Sequence, residues 1–188
     1  MQDSFEADLR HEPERMWSNV VVRADGSRRW PELMFHAPVG YRPLLMSVTV
    51  PKGSGPHPTV IFIHGGAWLV GHPGFAIDLL EDMDIDGKLL AAGYAVARIT
   101  YRMSFEAIFP AQLVDCQEAV CFLRLNAGRM TLDPVRFATM GESAGGHLAL
   151  LVGLSKDEGN AVAAVVDWYG PTDLTAMESD KAPGAEPL

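Results

Sequence analysis

Met140-Gly141-Glu142-Ser143-Ala144-Gly145-Gly146 lies between Arg136–Met140, which reads as a strand, and Ala144–Leu154, which reads as a helix. A serine set between two glycines at such a junction is the sequence form of a tight strand-to-helix turn. The backbone at Ser143 must take a strained conformation there, and only small neighbours such as Gly141 and Gly145 let the turn close. The helix that starts beneath Ser143 adds a partial positive charge, which favours a developing anion. The pattern G-x-S-x-G is short and recurs by chance; its setting between strand and helix makes it informative.

Outward from this turn the chain alternates. Thr59–Ile63 is a short, β-branched apolar run of the kind buried on both faces of a parallel sheet. A helix is predicted over Leu79–Ala92, stopped by Gly93, then a strand over Tyr94–Thr100. Pro110 opens a helix to about Ala127, with Leu113, Ala119, Val120 and Leu123 as its apolar stripe. Ala161–Val166 follows as a further strand, with Val165 on its exposed edge. Strand and helix in strict turn imply a doubly wound, mostly parallel sheet with right-handed crossovers, an α/β fold. Ahead of this, residues 1–16 read as a polar lead-in, Val20–Val22 as a short strand closed by Asp25-Gly26, and Leu44–Val50 as a strand stopped by Pro51.

The chain has 188 residues, enough for a single domain with a real core, and 48% of them are hydrophobic. Its net charge of −9 argues against nucleic acid and against anionic membrane surfaces as partners. No window approaches the ~18 apolar residues that span a bilayer, and residues 1–15 lack the apolar core of a secretory leader. A cytoplasmic location is expected. Cys116 and Cys121, five apart on a predicted helix, point about 140° apart and are read as small core residues rather than a disulfide or a metal pair. No metal or cofactor is expected.

A second glycine-rich loop, His64-Gly65-Gly66-Ala67-Trp68, directly follows the Thr59–Ile63 strand. Glycines there let backbone N–H groups face a concavity, as an oxyanion hole requires. Both loops follow parallel strands and so share the carboxyl edge of the sheet, where α/β proteins place their sites. Trp68, Phe75, Trp168 and Tyr169 fall at the same edge and are candidate pocket walls.

His64–Trp68 and Gly141–His147 together resemble the α/β-hydrolase esterases, in the branch around hormone-sensitive-lipase-like and feruloyl or acetylxylan esterase-like enzymes. The resemblance continues through Ala92-Gly93-Tyr94, Tyr101-Arg102, Phe109-Pro110-Ala111 and Asp115 to Tyr169-Gly170-Pro171-Thr172-Asp173. It implies Ser143 as nucleophile. It also implies the N–H groups of Gly66, Ala67 and Ala144 as oxyanion hole, with His64, Gly65, Gly141 and Gly145 shaping the loops. The reaction implied is hydrolysis of a small ester through an acyl-enzyme. The organisation then reads as 1–42, lead-in and first strand; 43–175, a partial α/β-hydrolase domain; and 176–188, a loop that breaks off.

The family's triad continues with an acid and then a histidine on later loops, and no histidine follows His147. The triad acid and base therefore have no matching position, the domain reads as incomplete at its C-terminal side, and the chain alone is expected to be nearly inactive. His147 stacks one helical turn beyond Ser143, a poor approach for a base. His64 reads as orienting its loop, His72 as remote, Asp115 as a satisfied structural carboxylate, and Glu142 as loop-binding. Asp167 and Asp173 have no histidine to orient. Two other classes are weighed. A nucleotide-binding module would use Gly141–Gly146 and Asp167, but neither G-x-G-x-x-G nor a P-loop occurs. A non-catalytic ligand binder on the same fold is the alternative to the enzyme. Self-association through the exposed Ala161–Val166 edge is expected.

Overall fold

Thr59, Val60, Ile61, Phe62 and Ile63 are all buried, on both faces of the strand that carries them. An unbroken apolar run of this kind belongs in the middle of a sheet, and that is where it lies. The computed structural model describes residues 13–74, 82–155 and 157–177. In chain order these form α1 (Pro13–Ser18), β1 (Val21–Val22), β2 (Arg28–His36), β3 (Leu44–Val50), β4 (His57–Ile63), α2 (Ile85–Ala91) and β5 (Ala95–Ile99). Then come α3 (Ala111–Leu125), α4 (Ala127–Met130), β6 (Leu132–Glu142), α5 (Ala144–Gly153) and β7 (Ala164–Trp168).

The strands make one sheet in the order β1-β2-β3-β5-β4-β6-β7. From β5 to β7 the neighbours run parallel, and β1, β2 and β3 extend the sheet antiparallel. Helices cover both faces. Ile61, Ile63, Ala97 and Ile99 pack with Cys116, Ala119, Val120 and Leu123 of α3 and Leu148, Ala149 and Val152 of α5. On the opposite face Val60, Phe62 and Met140 cluster with Ile85 and Leu89 of α2. The Arg98 guanidinium ties that helix down by a paired hydrogen bond to Asp86, both contacts 2.9 Å, while lying 4.4 Å from the Phe62 ring centre. The predicted doubly wound α/β fold is the one observed.

Ile63 stands level with Ile99 on one side and Gly141 on the other. The loops after β4 and β6 therefore leave the sheet at the same edge. This register positions the candidate site.

Several elements differ from the sequence reading, and among them β4 and β6 start earlier, at His57 and Leu132 rather than Thr59 and Arg136. Strand β2 is hidden in the sequence by Pro31, which removes a ladder donor; the structure accommodates it at a register irregularity between Trp30 and Leu33. The helix predicted over Leu79–Ala92 is interrupted at Met83-Asp84, where Asp84 takes φ 44° and its side chain caps α2 on Gly87 N–H; residues 79–81, like Phe75, lie outside the described residues. Strand β7 begins at Ala164 rather than Ala161. The Ala161 carbonyl is bound by Arg124 of α3, and the Ala163 N–H reaches the Phe137 carbonyl ahead of the regular ladder. Val165 lies on the edge strand of the sheet, but its side chain is not exposed: it packs under Gly153, against the main core. The exposed valine is Val166, on the other face.

Beyond the sheet edge, Arg102 joins the end of β5 to α3. Its backbone N–H and Nε each reach Asp115 Oδ2 at 2.9 Å, and Nη2 reaches Oδ1 at 2.7 Å. Asp115 is fully buried. Removing one partner of a buried, bidentate pair leaves the other charge uncompensated. Asp115→Ala should therefore lower the unfolding free energy by about 3–5 kcal/mol, measured by urea denaturation. Glu14→Ala, in the exposed Arg129–Glu14 pair, should change it little.

Candidate active site

Ser143 carries φ 52° and ψ −124° at the junction of β6 and α5. For a residue with a side chain, such a backbone costs on the order of 1–3 kcal/mol and persists only when its surroundings dictate it. Two hydrogen bonds do so: Ser143 N–H donates to the Trp168 carbonyl at 2.8 Å, and the Ser143 carbonyl accepts from His147 N–H at 3.0 Å. Close approach does the rest. A methyl group on Gly145 would run into the Ile63 and His64 carbonyls, so the helix start presses directly on the end of β4. The serine makes no side-chain cap on α5, which leaves its hydroxyl uncommitted to the helix.

The loop after β4 faces this turn. His64 is fully buried, stacks on Tyr101 with ring centres 4.5 Å apart, and directs Nδ1 to the Gly65 carbonyl at 2.8 Å. A carbonyl only accepts, so Nδ1 carries the proton. The Tyr101 hydroxyl in turn donates to the His64 carbonyl at 3.0 Å. Burial lowers the His64 pKa and raises that of Tyr101, so both stay neutral at ordinary pH. Beyond them Gly66, Ala67 and Trp68 take three consecutive positive φ values, 107°, 52° and 59°. The Gly66 carbonyl folds the loop by accepting from Leu69 N–H (2.9 Å) and Val70 N–H (3.1 Å), while the Trp68 carbonyl accepts from Ser104 N–H at 2.8 Å. At Gly66 a side chain would collide with the Val70 carbonyl.

A strained serine on a strand-to-helix turn, opposite a loop of successive left-handed residues, is the geometry to compare with known proteins. The BD-FAE family model matches residues 46–187. The chain belongs to the BD-FAE family. Among curated relatives it is 32% identical over 129 residues to Esterase LipC of Mycobacterium tuberculosis, covering 63% of this chain and 31% of that protein. It is 34% identical over 97 residues to an arylesterase of Saccharolobus solfataricus, covering 50% of this chain and 29% of that one. A truncated carbohydrate esterase from gut microbiota superposes with a TM-score of 0.60 at 30% identity, over 74% of this chain and 55% of that one. The fold is that of the α/β-hydrolase esterases, and the chain spans about a third of the length of the curated relatives it matches.

Within this BD-FAE domain the remaining sequence candidates fall as follows. Gly65 packs against Glu142, and Gly141 against Gly145. Ala144 is buried at the helix start. Trp68 meets His147 edge-on, ring centres 5.3 Å apart. Trp168 and Tyr169 close β7 beside the elbow. His147 is held neutral by burial, partly offset by Asp167, and its Nδ1 is buried without a partner. No imidazole of the described residues hydrogen-bonds the Ser143 hydroxyl, and those residues contain no cluster of three His, Cys, Asp or Glu suited to a metal. Asp167 accepts from Gly170 N–H at 2.9 Å and Asp115 is committed to Arg102. The sequence reading missed Tyr101 as the support of His64; its placement directly after a buried strand was the available signal.

These histidines set a pH dependence. In the unfolded chain they bind a proton near pH 6.5, whereas burial delays protonation of His64 and His147 in the folded protein to lower pH. The unfolded state thus holds more protons as pH drops through 6.5, and stability must fall in that direction. The urea midpoint should be lower at pH 5.5 than at 7.5, and His64→Gln should flatten that difference.

Proposed function

We propose that this chain carries the nucleophile and the oxyanion-binding loops of a carboxylic-ester hydrolase. The observation that supports this best is Ser143 itself, held at positive φ between β6 and α5 and facing the Gly66–Trp68 turn. In this reading the Ser143 Oγ adds to the ester carbonyl carbon. The N–H groups of Gly66, Ala67 and Ala144 take the negative charge that appears on the carbonyl oxygen, helped by the N-terminus of α5. Collapse of the adduct breaks the bond from the carbonyl carbon to the leaving oxygen, which takes up the proton given up by the Ser143 hydroxyl and departs as the alcohol. Water then cleaves the acyl-serine to the carboxylic acid and returns a proton to Ser143 Oγ. Trp68, Trp168 and Tyr169 wall the acyl or alcohol side. The substrate is a small-molecule ester and no cofactor enters the chemistry. The names of the relatives, esterase, arylesterase and carbohydrate esterase, agree with the reaction class.

The second reading, a hydrolase-like ligand binder, is favoured by one observation: among the described residues no imidazole is bonded to the Ser143 hydroxyl. An active-site-directed fluorophosphonate separates the two. Labelling that is lost in Ser143→Ala, even if slow, supports a nucleophile held for attack, and a wild-type protein that takes no label supports the binder. Turnover of p-nitrophenyl acetate by this chain should be slow, by about the 10²–10⁴-fold that a general base contributes, and abolished in Ser143→Ala.

We also propose a cytoplasmic setting and self-association. Cys116 and Cys121 are both free thiols, as in a reducing compartment, and no helix of the described residues is long and apolar enough to cross a membrane. Strand β7 pairs on one side with β6 and, among the described residues, with nothing on the other. A second copy is the proposed occupant of that edge. Sedimentation at tens of micromolar should show association that Val166→Lys weakens; a concentration-independent monomer would refute it.

A further inference from the structure

Glu142 is the last residue of β6 and is 2% exposed. A carboxyl group so deep in a protein is costly unless its oxygens are engaged. One is: Oε2 accepts the Tyr169 hydroxyl at 2.6 Å. The other, Oε1, is buried with no hydrogen-bond partner. It lies against the loop after β4, since a methyl group on Gly65 would stand 3.1 Å from Oε1 and from Cδ, and 3.0 Å from the Glu142 carbonyl oxygen. At the other end of the bond, Tyr169 directly follows β7 with φ 45°, and most of its surface is open to solvent although its hydroxyl is held. Left-handed backbone at an exposed tyrosine needs a tether.

The two hydrogen bonds between these segments join neighbouring residues. Ser143 N–H reaches the Trp168 carbonyl, and the Tyr169 hydroxyl reaches the Glu142 carboxyl. Residues 142–143 and 168–169 are therefore tied at two points, one through backbone and one through side chains. The backbone bond ends the β6–β7 ladder, the side-chain bond adds a point of attachment beyond it, and the same carboxyl group packs on Gly65 of the opposing loop.

We infer that Glu142 and Tyr169 are positioning residues for the ester chemistry: their bond fixes the elbow and the Gly65–Gly66 loop relative to each other and holds the Tyr169 ring as a rigid wall. This rests on the reading of Ser143 as nucleophile. The alternative is that Glu142 acts through its charge, in which case its hydrogen bond would be incidental.

The test measures the rate of fluorophosphonate labelling of Ser143 in the full chain. Tyr169→Phe and Glu142→Ala should each slow it about tenfold, a modest loss of alignment, and the double variant should be no slower than either. Glu142→Gln, whose amide oxygen still accepts from the phenol, should recover most of the rate lost in Glu142→Ala. Additive losses, an unaffected Tyr169→Phe, or a Glu142→Gln as slow as Glu142→Ala would each overturn the inference. A second readout is independent of reactivity. Burial and the hydrogen bond to Glu142 push the Tyr169 phenol up to about 12, so ultraviolet titration should show one tyrosine there that moves down in Glu142→Ala. Wild-type protein that takes no label would refute the nucleophile reading instead, and the titration would then decide the tie alone: a tyrosine indifferent to Glu142→Ala refutes it.

Discussion

The 2.8 Å hydrogen bond from Ser143 N–H to the Trp168 carbonyl holds together everything of chemical interest in this chain. It continues the β6–β7 ladder, in which Glu142 already pairs with Trp168, by one step past the point where β6 has turned into a helix. A strand that turns that sharply loses its regular pairing, and the positive φ of Ser143 is unfavourable in isolation. The bond from the neighbouring strand, the closure of the α5 helix on the Ser143 carbonyl and the contact of Gly145 with the end of β4 together make the strained conformation the one with the most partners. The strain is local, and the sheet that offsets it is large.

Much of this was legible in the residues. The G-x-S-x-G turn and the His64–Trp68 loop were readable because their chemistry is written in small residues, and little besides a tight turn or a close approach requires small residues at fixed spacing. The buried parallel strands were readable because Thr59–Ile63 is a β-branched apolar run without alternation, and Tyr94–Thr100 is mostly apolar, interrupted by Arg98. What escaped is set by long-range contact. Strand β2 contains Pro31 and two adjacent arginines, a local pattern that argues against a strand, and it exists because β3 offers it a ladder and Trp30 and Leu33 a core. The onset of β7 is set by the Arg124 guanidinium, which gathers the Pro134 carbonyl at the start of β6 and the Ala161 carbonyl ahead of β7. Val165 and Val166 are chemically identical, and only the register with Thr139 and Met140 says which one is covered.

The site follows the same division. Ser143, Gly66 and Ala67 announce themselves by motif, and Tyr169 by its place at the sheet edge, whereas the partners of Tyr101 and Tyr169 show only once the fold brings one under His64 and the other onto Glu142. Each supplies a hydroxyl to a buried acceptor that a nearby glycine-rich loop could not reach for itself. Glycine gives these loops their shape, and aromatic side chains anchored from neighbouring strands give them their stiffness.

The tie between Ser143 and Trp168 also orders events in time. A chain made from its N-terminus emerges with the elbow before the strand that holds it, so until Trp168 has left the ribosome the serine is free to relax into ordinary backbone. The strained shape is thus acquired only as the sheet closes, with the later-made strand β7 supplying the partner that holds it.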